Sequence, residues 1–211
     1  MLIKSDRHTA ADLELWRELE ATDAMHANTL DAKIRDAEKT IARFAAGGCC
    51  CAVSWGKDSV VVASLCHRVV PIYRVCWRSS DNPDSLKVEK EFCEMHPNSI
   101  VVNIDAPDDD HDDGRIGFRM LREAHPKRIT GIRAAESPSR RLSAIVHGLQ
   151  TETSCRPILH WTIADVFAYC YRFQLPVHPV YAMLGGGRWE REHVRVDSIG
   201  DIRGTGHGRR E

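Results

Sequence analysis

Hydrophobic positions recur along this chain with two different periods, and their alternation predicts the elements. Residues 9–46 carry Leu13, Trp16, Leu19, Leu30, Ile34, Ile41 and Phe44 at spacings near three, four and seven, the stripe of an amphipathic helix. Thr9 stands where it would cap the start and the Gly47-Gly48 pair where it would end the helix, with room for a break near residues 22–29. Residues 49–53 are then a short run of small apolar side chains, suited to a strand covered on both faces of a parallel sheet. Residues 60–70 stay mostly apolar for long enough to make a helix, although their β-branched side chains alone favour strand. Further strands are expected at residues 72–77, 100–104 and 128–132. Helices are expected at 86–95, at 115–124, from Ser137 or Ser139 to Gly148, and at 162–173.

Strand alternating with helix implies an α/β fold, an open parallel sheet with right-handed crossovers and helices on both faces. Ligands of such sheets sit beyond the carboxyl ends of the strands, so the residues after Val53, Trp77, Ile104 and Ile132 should share one rim. Three regions follow: a helical arm at 1–46, the sheet domain at 47–184, and a Gly/Arg-rich tail at 185–211, expected to be loosely ordered.

Composition narrows the function. With 211 residues and a formal net charge of -1 there is no global electrostatic pull toward nucleic acid or membrane. No apolar run approaches the roughly 18 residues of a membrane span, and a cytoplasmic protein is expected. Of eight cysteines three are consecutive and the rest lie mostly in apolar segments, with no CxxC; this reads as buried thiols in a reducing compartment.

Two stretches carry chemistry. Ser54-Trp55-Gly56-Lys57-Asp58-Ser59 joins the first strand to a helix, so that backbone N–H groups near the helix start and its positive dipole end face an anion. Lys57 adds charge, Ser54 and Ser59 add hydroxyls, and Gly56 permits close approach. The Walker spacing is absent. In the second, Arg133 to Arg141, the three arginines Arg133, Arg140 and Arg141 lie near the same rim, and their planar forks suit phosphate or sulfate. The aspartate-rich residues 105–114 read as a solvated loop rather than a metal site, and His26, His178 and Trp16 as packing residues.

Taken in order, these stretches resemble the PAPS reductase and ATP sulfurylase small-subunit family of the PP-loop, or adenine nucleotide alpha-hydrolase-like, superfamily. The family's SGGKDS is similar to residues 54–59, its GxR-x-x-E-S-x-x-R to Gly131 through Arg140, and its P-L-x-x-W-T-x-x-D-V followed by L-P-x-x-P-x-Y to Pro157 through Val166 and Leu175 through Tyr181. The resemblance spans about residues 45–182 and implies a Rossmann-like sheet of about five strands. It places an adenine nucleotide at the rim, the base beside residues 73–77 and the phosphates on Ser54, Trp55, Gly56 and Ser59, with Arg133, Arg140 and Arg141 toward the distal phosphate or sulfate.

Two chemistries then stand open. ATP-using members cleave the α–β phosphate bond with Mg²⁺ and adenylylate an acceptor; sulfonucleotide reductases attack a sulfuryl group with a cysteine in a C-terminal ECGxH-like motif. No cysteine follows Cys170, and the Lys57-Asp58 pair is retained, so the expectation is ATP with Mg²⁺, Lys57, Asp58 and Arg133 catalytic, and Asp58 also holding the metal. The alternatives are a reductase using Cys155 or one of Cys49, Cys50 and Cys51, or a nucleotide-binding subunit that needs a partner protein. A nucleic-acid contact through the tail is the less favoured extension.

Overall fold

The computed structural model describes residues 1–46, 48–70, 73–78, 82–104, 123–196 and 202–204, with backbone alone at 73–78, 102–104, 195 and 202–204. The arm is two helices, α1 (Ala10–Ala27) and α2 (Asp31–Ala45). Thr9 starts the first with a reciprocal cap: its hydroxyl accepts the Asp12 N–H at 3.1 Å while the Asp12 carboxylate accepts the Thr9 N–H at 3.2 Å. The break falls at Asn28, where the Thr29 N–H and hydroxyl both donate to the His26 carbonyl, at 3.0 and 2.8 Å. After it α2 buries Ile34, Ala37, Ile41 and Phe44 on one stripe.

Five parallel strands form the sheet: β1 (Cys50–Ala52), β2 (Tyr73–Arg78), β3 (Ser99–Ile104), β4 (Arg128–Thr130) and β5 (Ser154–Cys155), in the order β3-β2-β1-β4-β5. Cys51 stands opposite both Val75 and Ile129, and Ile129 opposite Cys155. The helices between them are α3 (Lys57–Val69), α4 (Pro83–Met95) and α5 (Pro138–His147), followed by α6 (Ile163–Arg172) and a single 3₁₀ turn, Pro179–Ala182. From β1 the chain steps outward to β2 and β3, then returns to β4 on the other side of β1. The strand order therefore reverses between β1 and β4.

Burial decides α3. Val60, Val61, Val62, Ala63 and Leu65 are each fully buried. Burying a Val or Leu contributes about 1.5–3 kcal/mol, against a helix-propensity cost of at most about 0.7 kcal/mol per β-branched residue. At the other end of the molecule Thr162 caps α6 through a capping box with Asp165. The fully buried Asp165 also accepts from Lys33 Nζ at 2.6 Å and pairs with His26 Nε2 at 2.9 Å, stapling both arm helices to α6. Burial works against its charge, but Lys33, the Thr162 N–H and His26 outweigh it and bring the carboxyl to about 2. His26 is thus a polar tie, while Trp16 packs edge-on against Phe167, centroids 5.9 Å apart.

The amino-terminal part of the tail is anchored. Leu184 and Gly186 N–H groups donate to Asp12 Oδ1 at 3.1 and 3.3 Å. Arg191 holds the buried Asp23 with two bonds, 2.7 and 2.5 Å, its guanidinium 4.0 Å from the Phe167 ring centre. The chain then enters β6 (Val194–Val196), which pairs antiparallel with β7 (Ile202–Gly204). The loose order expected of the tail therefore does not extend to residues 184–194. No helix among the described residues is long and apolar enough to cross a membrane. The aspartate-rich stretch and nearly all of the helix expected at 115–124 lie outside the described residues.

Candidate active site: a buried charge group at the switch point

The loop after β1 and the segment after β4 meet where the strand order reverses. Gly131 makes the meeting possible. A Cβ there would lie 2.7 Å from the Asp58 carbonyl carbon and oxygen and 2.9 Å from the Ser59 nitrogen, all backbone, so no larger residue fits unless the two segments part. Two residues later Arg133 donates from Nε to Asp58 Oδ1 at 2.5 Å and from Nη1 to the Trp161 carbonyl at 3.5 Å. Lys57 Nζ lies 3.1 Å from Asp58 Oδ2.

These three side chains form one charge group with a net charge of +1. Lys57 and Arg133 are almost fully withdrawn from solvent, at 2% and 4% side-chain exposure, and Asp58 keeps 14%. Burial pushes the Asp58 carboxyl up, yet Lys57 and Arg133 hold it below its ordinary value. Burial likewise opposes the charge on Lys57, and Asp58 reverses that, raising the ammonium above its usual value. Lys57 and Asp58 are therefore both ionised near neutral pH. The group lies at the amino end of α3, where the helix dipole adds further positive potential, and it suits an oxyanion. Asp58 fits the expected Mg²⁺ poorly: both its oxygens face cations, and a metal there would have to displace one of them.

The loop is held by its own hydroxyl. Ser59 Oγ donates to the Gly56 carbonyl at 2.9 Å and accepts the Ser54 N–H at 3.2 Å. The Lys57 N–H donates to Tyr181 Oη at 3.2 Å, and its ammonium lies 4.9 Å from the Tyr181 ring centre and 3.5 Å from the Val194 carbonyl. Tyr181 and Val194 were not among the expected site residues. Tyr181 closes the L-P-x-x-P-x-Y element of the resemblance, and that was the available signal; nothing in the sequence marks Val194.

The remaining expected residues divide. Trp55 has φ of 57°, in the left-handed region, and its fully buried indole packs on Phe92 with centroids 5.7 Å apart. Its side chain faces the core, so only its backbone belongs to the loop. Arg140 is tied to Glu136, whose carboxylate also accepts the Arg133 N–H at 2.9 Å. Arg141 is exposed on α5 and makes no ion pair among the described residues. The base was expected beside β2, whose side chains lie outside the described residues.

The cysteines considered as nucleophiles are poorly disposed. Cys155 is fully buried and pushed up to about 12 by burial, with the neighbouring Cys49 and Cys51 adding to the shift. Cys170 is raised to about 12, again by burial. Cys50 and Cys51 are core residues, and half-buried Cys49 is raised as well, chiefly by burial. Cys49, Cys155 and Cys170 therefore offer no thiolate near neutral pH.

A parallel sheet with a glycine-bearing loop after β1, a buried Lys-Asp-Arg group and an arginine segment after β4 makes an α/β domain with its charge group at the switch point of the sheet. Residues 118–207 match the family described as the phosphoadenosine phosphosulfate reductase domain. That match covers less than half of the chain. Over 77 residues it is 34% identical to the phosphoadenosine 5'-phosphosulfate reductases of Xylella fastidiosa strains M12 and M23. The alignment covers 36% of this chain and only 28% of those relatives. A crystal structure of phosphoadenylyl-sulfate reductase from Candida auris, a phosphate complex, superposes with a TM-score of 0.51 at 12% identity, covering 75% of this chain and 91% of that one. At that identity the likeness is one of fold.

Proposed function

We propose that this chain binds an adenine nucleotide with a terminal phosphosulfate and serves sulfonucleotide reduction. The observation that carries this reading is the Lys57–Asp58–Arg133 group: a net +1 charge, withdrawn from solvent, set at a helix amino terminus and at the switch point of the sheet. The names of the relatives support the same choice of substrate class. In the reaction a thiolate attacks the sulfuryl sulfur, the S–O bond to the nucleotide phosphate breaks, and the nucleotide leaves with that electron pair. A second thiolate then displaces sulfite from the S-sulfonate, leaving a disulfide. Lys57 and Arg133 would stabilise the negative charge that gathers on the leaving phosphate. With the described cysteine thiols buried or raised, both thiols would come from an external dithiol.

The retained Lys57-Asp58 pair favours a second reading, in which ATP is cleaved between its α and β phosphates and AMP passes to an acceptor. Product analysis separates the two. With phosphoadenylyl sulfate and a dithiol, sulfite and adenosine 3',5'-bisphosphate are expected. Pyrophosphate from ATP, Mg²⁺ and sulfate, with phosphoadenylyl sulfate left intact, would overturn the first reading in favour of the second.

A further inference from the structure

Two arginines withdrawn from solvent are met by carboxylates: Arg133, 3% exposed, bonds to Asp58, and Arg191 holds Asp23. Arg156 departs from that pattern. It is 4% exposed, yet no carboxylate among the described residues pairs with it, and its guanidinium makes a single hydrogen bond, from Nη1 to Ser143 Oγ on α5 at 3.0 Å. Its Nε is enclosed without a partner. Buried charges in folded proteins are paired, so an unmet guanidinium points to a counter-charge that arrives from outside the chain.

The position of Arg156 indicates what kind. It is the first residue after β5, at the carboxyl end of the sheet, where open α/β sheets bind their ligands. Ile129 stands opposite Cys155, so Thr130 and Arg156 are the next positions on the two strands, and alternation turns both to the same face. The Thr130 hydroxyl is likewise enclosed without a partner. Beyond them the two segments are laced together, the Ala134 N–H donating to the Leu159 carbonyl at 2.8 Å and the Leu159 N–H to the Arg156 carbonyl at 3.1 Å. Arg156 thus shares the rim that carries Arg133. Its Nε and Nη2, neither of which bonds to a described residue, carry the parallel N–H groups that grip two oxygens of one phosphate or sulfate.

We propose that Arg156, with the Ser143 hydroxyl bonded to it and the Thr130 hydroxyl at the adjacent strand position, is a second oxyanion site of the rim, taking a tetrahedral phosphate or sulfate group. Arg156 is no part of the Lys57–Asp58–Arg133 group, so the site stands whichever nucleotide chemistry that group performs. The anion is either a second charged group of the nucleotide or a free inorganic ion.

Nuclear magnetic resonance of the arginine Nε–H groups in the full chain reads the site directly, because the Arg156 Nε is shielded from water. Sodium sulfate should shift the Arg156 signal saturably, and sodium chloride at matched ionic strength should not. If the anion belongs to the nucleotide, adenosine 3',5'-bisphosphate shifts the same signal, sulfate then adds nothing, and Arg156→Met weakens bisphosphate binding about tenfold or more by isothermal titration. If it is free, sulfate still shifts the signal with the bisphosphate at saturation. In anion-free buffer Arg156→Met should melt at or above the wild type, since it removes a charge that the described residues leave uncompensated, and it should gain less Tm from added sulfate. A signal that sulfate, phosphate and the bisphosphate all leave in place overturns the proposal. So does an Arg156→Met variant that melts well below the wild type without anions, or that gains as much from sulfate as the wild type does.

Discussion

Replacing Asp58 by alanine tests whether the buried charge group is held together in the way the geometry indicates. In the wild type one carboxylate sits between two cations, 2.5 Å from Arg133 Nε and 3.1 Å from Lys57 Nζ. Without it, two positive charges with side-chain exposures of 2% and 4% face each other with no counter-charge between them. Removing one partner of a buried pair costs about 3–5 kcal/mol, because the remaining charge has lost its compensation without regaining water. For a chain of this size that corresponds to a fall in Tm of roughly 6–20 °C.

The same variant carries a sign in its pH dependence. The folded-state value of the Asp58 carboxyl lies below the ordinary 3.8, so its contribution is fully present above that value and fades as pH falls through the folded one. The gap between wild type and variant, measured by urea titration at successive pH values, should therefore be widest near neutrality and close in acid. Sulfate or phosphate should raise the Tm of Asp58→Ala more than that of the wild type, since an anion then supplies the missing negative charge. A variant that melts within about 2 °C of wild type at neutral pH would refute the account of the site as a mutually compensated ion group.

Other outcomes are equally definite. Gly131→Ala should destabilise the protein by about 1–3 kcal/mol and lower its affinity for nucleotide, because the new methyl group meets the Asp58 and Ser59 backbone; equilibrium unfolding and isothermal titration measure the two effects. Asp165→Asn should remove about 2 kcal/mol of stability at pH 7, the equivalent of a carboxyl moved from 3.8 to about 2, and the difference from wild type should vanish as pH falls from about 4 to about 2. Cys155 and Cys170, both raised to about 12, should resist alkylation at pH 8 in the native protein and react once it is unfolded, which mass spectrometry of the labelled peptides would read. Any sulfite-forming activity should survive Cys155→Ser.

The sequence made the α/β alternation legible wherever burial imposed a period. Four of the five strands stand within about two residues of their expected places, and the 60–70 helix forms because its valines find a core. The strand Ser154–Cys155 escaped notice because two residues have no period to detect. The break between α1 and α2 depends on a side chain donating to the carbonyl of His26, a local bond that apolar spacing does not encode. At the site, the loop and the arginine segment were visible as motifs, but the pairing of Asp58 with Arg133 joins positions 75 residues apart and follows only from strand order. Arg140 and Arg141 were grouped with Arg133 by proximity in sequence. Helical geometry and the Glu136 carboxylate separate them, one tied locally and the other turned to solvent.

Trp55 occupies a position where the family pattern has glycine, and its backbone shows why: at φ of 57° a side chain other than glycine's stores strain of about 1–3 kcal/mol. The indole offsets that strain by locking into the core against Phe92 on α4. In this chain the curvature of the loop after β1 is consequently underwritten by a hydrophobic contact on a neighbouring helix. Substitutions deep in that core will register as altered affinity at the rim as well as lost stability, and the loop has given up the freedom to drift independently of the scaffold beneath it.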